Sequence, residues 1–98
     1  MGSYTIIWTS LAKRDLHDIY EYWKKKSVQG ARNVRSDILQ SPKSIYYAKQ
    51  YQIDDINPKY RRIVVRSNYK VLYKEIGNVI YIMGVVGTQQ SPDKLKSR

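Results

Sequence analysis

The chain of 98 residues carries 18 lysines and arginines against 8 aspartates and glutamates, which gives a net charge of +10. This charge favours a polyanion or an acidic protein as partner; the alternative is that it simply keeps a basic surface soluble. This length predicts a single small domain, residues 1–98, and no apolar run reaches the ~20 residues that a membrane-spanning helix needs. The absence of cysteine excludes disulfides and thiol chemistry and favours a reducing compartment such as the cytoplasm, while one histidine without cysteine argues against a zinc site.

The first part of the chain predicts one strand and a helix. Residues 4–8 form a β-favouring run, and because they are too far in sequence from the later strands to form a hairpin, they pair at the edge of the sheet or within it. Thr9 or Ser10 would cap the first helix, which ends near residues 24–26. Its apolar stripe, with helical spacing, is Ala12, Leu16, Ile19, Tyr20 and Trp23.

A second helix begins after Ser27, a potential N-cap. Pro42 cannot lie inside a straight helix, so the helix either kinks there or gives way to a loop. Ser41 and Pro42 suit the start of a further helical turn through Tyr46 and Tyr47. The apolar positions of the second helix are Ala31, Val34, Ile38 and Leu39. The two helices then form an αα-hairpin, whose apolar faces need the sheet as a partner.

A polar loop at residues 50–59 precedes three runs rich in valine, isoleucine and tyrosine, at residues 60–65, 69–74 and 79–86. The breaks between these runs are short and contain residues that tolerate positive φ, so the runs predict a three-stranded antiparallel meander. The predicted fold is α+β, with the αα-hairpin on one face of a small, mostly antiparallel sheet. The other face would be either wet or a binding surface.

Alternation along the meander suggests a compact cationic group on one face, formed by Arg61, Lys70 and Lys74 and edged by Arg66. Converging cations can clamp a phosphate or stabilise the extra charge of a transition state. The alternative is that these charges only keep an open face soluble and discourage edge pairing.

Residues for acid–base chemistry are few. His17 is the sole imidazole, and its position predicts an ordinary surface residue of the first helix. Asp15, Asp18 and Glu21 lie on the same helix and are expected to pair with neighbouring lysines or arginines. No nucleophile elbow, phosphate-binding glycine loop or metal motif is present, so we expect neither a cofactor nor a metal.

Several short motifs, by their order and spacing from Tyr4 to Leu95, resemble the RelE/ParE superfamily of type II toxin–antitoxin toxins. No single motif is specific, and the resemblance depends on their sequence over nearly the full length. The motifs are Tyr4-x-Ile6-x-Trp8-Thr9, Ala12-x-x-Asp15-Leu16, Ile19-Tyr20-x-Tyr22-Trp23, Ala31 at the second helix, Tyr60-Arg61-Arg62-Ile63-Val64-Val65, Tyr69-Lys70-Val71-Leu72-Tyr73, Ile80-Tyr81-Ile82 and Gln90-x-Pro92-x-x-Leu95.

The resemblance implies a growth-inhibiting toxin of the bacterial cytoplasm, neutralised by a cognate antitoxin, with operator DNA bound only by the complex. RelE-like members enter the ribosomal A site and cut mRNA with basic residues and a C-terminal aromatic. ParE-like members inhibit DNA gyrase and lack that set. A homodimer is left open.

Residue by residue, Arg61 and Lys70 stand at basic positions of RelE-like enzymes and would be the catalytic pair of such an enzyme. Ile63 replaces a second basic residue, Gln89 replaces an arginine, and no tyrosine follows Pro92. The resemblance therefore favours a ParE-like toxin that binds a target such as gyrase. The alternatives are a RelE-like mRNA endonuclease and an inactive homologue that binds only antitoxin and DNA. The residues expected to contact the target or the antitoxin are Arg61, Arg62, Arg66, Lys70, Lys74, Gln89 and Gln90.

Overall fold

The structure, a computed structural model, describes residues 4–89. It confirms the predicted order of one strand, two helices and a three-stranded meander. Two short 3₁₀ turns connect the helices to the meander. The elements are β1 (Thr5–Trp8), α1 (Ser10–Lys24), α2 (Val28–Gln40), the 3₁₀ turns Ser41–Ser44 and Ala48–Gln50, β2 (Arg61–Val65), β3 (Tyr69–Ile76) and β4 (Val79–Gly87).

The four strands form one mixed sheet in the order β1-β4-β3-β2. The meander strands pair antiparallel, whereas β1 runs parallel to β4, with Ile6 beside Ile80 and Trp8 beside Ile82. A parallel pair needs a long connection, which the intervening helices and strands provide. The sequence left the position of the first strand open, and the structure places it at the edge.

Side-chain caps begin both helices, as predicted. The Thr9 hydroxyl accepts a hydrogen bond from the Ala12 N–H at 3.3 Å and donates one to the Ile82 carbonyl at 2.7 Å, so it joins the start of α1 to β4. The Ser27 hydroxyl accepts from the Gly30 N–H at 3.0 Å. Caps of this kind each stabilise a helix by about 1 kcal/mol.

Pro42 marks the end of α2. The turn Ser41–Ser44 follows α2 directly, because proline has no N–H to continue the α-helical pattern. The Ser44 hydroxyl donates to the Ser41 carbonyl at 2.7 Å. The turn ends at Ser44, so the prediction that it continues through Tyr46 and Tyr47 was wrong, and these two residues are 73% and 60% exposed.

The two helices cover one face of the sheet, which we call the helix face. Branched side chains of both helices pack there against the inward side chains of β2, β3 and β4. Full burial of one such side chain contributes about 1.5–3 kcal/mol, so this cluster is the main hydrophobic contribution to folding. Its members with almost no exposed surface are Ala12, Val34, Ile38, Val71, Tyr73, Ile80 and Ile82.

Asp15 connects α1 to the sheet. We expected Asp15 to pair with a neighbouring lysine or arginine, but it is only 7% exposed and its carboxylate accepts the Val85 N–H at 2.9 Å. Because β1 ends opposite Ile82, the later residues of β4 have no β1 neighbour there, and the carboxylate supplies an acceptor instead. Glu21, by contrast, pairs at the surface with Lys24 at 3.9 Å, as expected.

The turn between β2 and β3 uses unusual backbone angles. Arg66 and Ser67 have φ values of 55° and 62°, which place both residues in the left-handed region. Two successive residues with positive φ match the twist of a hairpin, and the Asn68 N–H donates to the Val65 carbonyl at 3.2 Å. At the β3–β4 turn the positive φ of 63° falls on Gly77, where it carries no steric cost.

Replacing Asp15 with alanine should lower the free energy of unfolding by about 1–3 kcal/mol, because the buried Val85 N–H loses its acceptor. Asp15→Asn keeps an acceptor oxygen and should cost less. The exposed Asp18→Ala should stay within about 0.5 kcal/mol. Urea unfolding measures all three variants, and equal losses for Asp15→Ala and Asp18→Ala would contradict the buried role.

Ser67→Gly should raise the free energy of unfolding by about 0.5–1 kcal/mol, because glycine adopts positive φ without strain. The matched control is Ser10→Gly, which replaces a serine in the first turn of a helix and should destabilise. Thermal unfolding followed by circular dichroism compares the two. A lower melting temperature for Ser67→Gly would show that the turn is not strained.

Candidate functional site

The members of the predicted cationic group, Arg61, Lys70 and Lys74, do not all lie on the same face of the sheet. Arg61 pairs with Tyr73, and Lys70 pairs with Val64. Directly opposite residues share a face, so Arg61 lies on the helix face with buried Tyr73, whereas Lys70 lies on the opposite face. The prediction that Arg61, Lys70 and Lys74 share one face was therefore wrong. Alternation gives the two faces of each strand, but only the register between strands tells which faces coincide.

Lys70 is neutralised by the protein itself. Its side chain is 8% exposed, and its Nζ lies 2.6 Å from Oδ1 of Asp54, which is 1% exposed. The Asp55 carboxylate lies 3.8 Å from the same Nζ. A lysine in this buried ion pair cannot meet a ligand at the surface unless Asp54 moves away.

Arg62 of β2 binds the loop that contains Asp54 and Asp55. Its guanidinium donates to the Ile53 carbonyl at 3.1 Å, to Oε1 of Gln52 at 3.2 Å and to Oδ1 of Asp55 at 3.3 Å. Ile53 also forms an isolated antiparallel bridge with Arg61. The predicted polar loop is thus folded back along the free edge of β2, where it blocks pairing with another chain.

The loop also covers part of the face opposite the helices. Ile56 and Met83 pack against a small buried cluster of Tyr60, Leu72 and Val86. The expectation that this face is either wet or a free binding surface was therefore only partly right, because a stretch of β3 and β4 lies in a second hydrophobic cluster.

Asp54 is the centre of this arrangement. Its Oδ2 accepts the N–H groups of Ile56 at 3.2 Å and Asn57 at 2.8 Å, while Oδ1 accepts from Lys70. Burial opposes ionisation of the carboxyl group, but the hydrogen bond from Lys70, the backbone N–H groups and the lysine charge outweigh it and hold the pKa below its usual range. Asp54 therefore carries its charge in the folded protein at neutral pH.

Arg61, at the start of β2, and Lys74, near the end of β3, line the same groove. This groove of about 250 Å³, which we call the β3-edge groove, lies beside the last residues of β3. Arg61 is half-buried and donates to the Tyr51 carbonyl at 2.8 Å, and the Tyr73 hydroxyl donates to the Ala48 carbonyl at 2.6 Å. The charged residues of the groove are Lys49, Lys59, Arg61, Lys74 and Glu75. Sequence reasoning missed Lys49 and Lys59, because both come from loops whose path no periodicity predicts.

A larger groove of about 530 Å³ lies between the helices, and we call it the helix groove. Trp8, Leu16, Tyr20 and Leu39 form its apolar part. Its polar residues are Lys13, His17, Glu21 and Arg35. His17 is exposed on α1, as predicted, and lies in this groove rather than beside Arg61 or Lys70.

The remaining predicted contact residues are dispersed. Arg66 forms an exposed ion pair with Asp37 at 2.7 Å, which ties the β2–β3 turn to α2. Gln89 is exposed in a turn after β4. Gln90 lies outside the described residues. Across residues 4–89, acidic side chains and histidine form no cluster suited to a metal ion. Neither α1 nor α2 is long and apolar enough to cross a membrane.

Comparison with solved structures gives a clear match to the fold. A chain of the structure described as "Chromosomal ParDE TA system from P. aeruginosa" superposes with a TM-score of 0.77, covering 88% of this chain and 97% of that chain at 20% identity. The fold expected from the resemblance is thereby confirmed. No family model matches the sequence, and no curated protein does either.

Asp54→Asn should destabilise the protein by about 3–5 kcal/mol near neutral pH, because Lys70 keeps a buried charge without its partner. Asp55→Asn is the matched control: it changes the adjacent residue, which is 76% exposed, and should cost less than about 1 kcal/mol. Urea unfolding at pH 7 compares the two. Similar losses would contradict the central role of Asp54.

The same ion pair should make stability depend on pH. Because the folded pKa of Asp54 is below its ordinary value of 3.8, its contribution is complete above that value and is lost as the pH falls through the folded pKa. The free energy of unfolding should therefore drop steeply below about pH 4 in the wild type. Asp54→Asn should reduce this pH dependence of the free energy of unfolding, and Asp55→Asn should reduce it less.

Proposed function

We propose that this chain is the toxin of a bacterial type II toxin–antitoxin system, that it acts by binding a target, and that a cognate antitoxin protein neutralises it. Two independent observations support the proposal. The fold is that of a chain of a ParDE toxin–antitoxin structure, and the order of the sequence motifs resembles the RelE/ParE superfamily. A fold alone does not specify an activity, so the choice between a RelE-like and a ParE-like activity depends on the residues of the site.

We favour binding of a target over RNA cleavage because the sheet separates Arg61 from Lys70. A nuclease needs its cations and its acid–base groups to converge on the scissile phosphate. Here Lys70 is paired with Asp54, and His17 lines a different groove from Arg61. A ParE-like mode, in which the protein inhibits its target by contact, requires no such convergence.

The target and the compartment follow from the resemblance. ParE-like toxins act on DNA gyrase, so we propose gyrase in the bacterial cytoplasm as the target. Operator DNA would be bound only by the complex with antitoxin. In the basic set predicted for contact with partners, Arg66 is exposed, whereas Arg61, Arg62 and Lys74 are partly exposed. Because Lys70 is buried, replacing it would test folding rather than binding.

Induction of this chain alone should stop bacterial growth, and co-expression of its cognate antitoxin should restore it. Purified protein should inhibit DNA supercoiling by gyrase in vitro, because the proposed target is bound directly. Growth curves and a supercoiling assay measure the two effects, with heat-denatured protein as the control.

Each alternative has its own outcome. Unaffected supercoiling at high protein excess would contradict gyrase as the target. Cuts at the ribosomal A site, seen by primer extension on translated mRNA, would support the RelE-like endonuclease instead. Normal growth on induction would indicate the inactive homologue that binds only antitoxin and DNA.

A further inference from the structure

We propose that residues 43–50, which we call the tyrosine loop, bind single-stranded nucleic acid. The rings of Tyr46 and Tyr47 would stack on bases, and Lys43 and Lys49 would contact phosphates. The proposal does not rest on growth inhibition or on gyrase. It is also separate from the operator DNA proposed for the complex with antitoxin, because that DNA is a duplex.

The first observation is that two large aromatic side chains are exposed at adjacent positions. Tyr46 is 73% exposed and Tyr47 is 60% exposed. Within residues 4–89, neither hydroxyl has a hydrogen-bond partner, and neither ring packs against another aromatic ring or a cation. Neither residue belongs to a hydrophobic cluster of the fold. Both rings therefore contribute little to folding and are accessible to a ligand.

The second observation is that hydrogen bonds hold the backbone that carries these rings. The side-chain amide of Gln50 accepts from the Tyr46 N–H at 2.9 Å and donates to the Ser44 carbonyl at 2.9 Å. The Gln50 N–H donates to the Tyr47 carbonyl at 3.1 Å. Between Ser44 and Tyr46, the side chain of Ile45 is buried in the main hydrophobic cluster.

Three other tyrosines attach the loop to the rest of the protein. The Ala48 N–H donates to the Tyr4 hydroxyl at 3.2 Å, and the Tyr73 hydroxyl donates to the Ala48 carbonyl at 2.6 Å. The hydroxyls of Tyr51 and Ser44 share a hydrogen bond of 2.6 Å. The loop is thus ordered before any ligand arrives, so binding does not have to offset the entropy of ordering it.

The third observation is the charge of the loop. Residues 38–53 contain no aspartate or glutamate, whereas Lys43 and Lys49 are both exposed. Lys49 shares the β3-edge groove with Glu75, but neither lysine forms an ion pair with an acidic residue of the described part of the chain. Two cations are therefore available to a phosphate backbone on either side of the tyrosines in sequence.

The exposed side chains of the loop favour nucleic acid over a protein. From Lys43 to Lys49 the exposed residues are these two lysines, Tyr46 and Tyr47, and no aliphatic side chain is exposed among them. Neither tyrosine lines the helix groove or the β3-edge groove, so the rings are not enclosed by apolar walls, as the core of a protein interface would be. Open rings beside cations are the combination that binds single strands by stacking and by charge.

The probe is a fluorescently labelled oligothymidylate of about twelve nucleotides, titrated with the purified full chain and followed by anisotropy. An oligouridylate of the same length separates DNA from RNA, and we expect both to bind because every base has a face that can stack. An abasic strand of the same length keeps the phosphates but has no bases. It should bind about tenfold more weakly or worse, because nothing stacks on the tyrosines.

Tyr46→Ala combined with Tyr47→Ala should weaken binding of the oligothymidylate by about tenfold or more. Both residues use backbone atoms for their hydrogen bonds within the loop, so alanine retains these bonds. Tyr46→Phe combined with Tyr47→Phe keeps the rings and should change the affinity by less than about twofold. The matched control is Tyr22→Ala on α1, which removes a tyrosine that is 54% exposed beside Lys26 and should also change the affinity by less than about twofold. The circular dichroism of each variant shows that it is folded.

Lys43→Ala combined with Lys49→Ala should weaken binding and make the affinity less dependent on salt, because phosphate contacts are lost. Equal affinity for the abasic strand, unchanged affinity after both tyrosines are replaced by alanine, or no binding of either oligonucleotide at low salt would overturn the proposal. Oligoglutamate that displaces the labelled strand as effectively as unlabelled oligothymidylate of equal charge would overturn it in favour of an acidic protein.

Discussion

The register between β2 and β3 determines where every basic side chain of the meander points. The connection of three residues, 66–68, sets Val65 opposite Tyr69, and this pairing sends Ile63 and Val71 together into the helix face. A shift of one residue would place those apolar side chains on the other face and expose them, which is energetically excluded while the helices need a partner. The positions of Arg61 and Lys70 are consequences of this hydrophobic requirement rather than independent features.

The buried ion pair follows from the same register. Lys70 lies on the face that the helices leave uncovered, and there the loop before β2 supplies Asp54 to neutralise it. The attraction between the two charges offsets the cost of burying them only because backbone N–H groups also satisfy Asp54. The Asp54 carboxylate thereby helps to hold the loop before β2 along the edge of that strand, and it pairs with Lys70 away from the surface.

The basic surface that a partner can contact is therefore smaller and more localised than a net charge of +10 suggests. Charge converges at the end of β2, where β3 is the longer strand and Arg61 lies in the same groove as Lys74. The helix groove is a separate surface, with an apolar floor and His17 among its polar residues. The two grooves are thus separate candidate binding surfaces, and neither brings Arg61, Lys70 and His17 together.

The sequence alone determined the elements of this protein: the caps Thr9 and Ser27, the apolar stripes of the helices and the three strands of the meander, because these depend on local spacing and on single residues. Only the tertiary structure decided which faces of neighbouring strands coincide, and which acidic residues are buried. Asp15 meets Val85 and Asp54 meets Lys70 across contacts far apart in sequence. Helical spacing places Asp15 at the border of the apolar stripe of α1, but no local pattern identifies Val85 as its partner or distinguishes Asp54 from exposed Asp55. Long-range pairing is set by how the hydrophobic faces fit together, and that fit belongs to the folded chain as a whole.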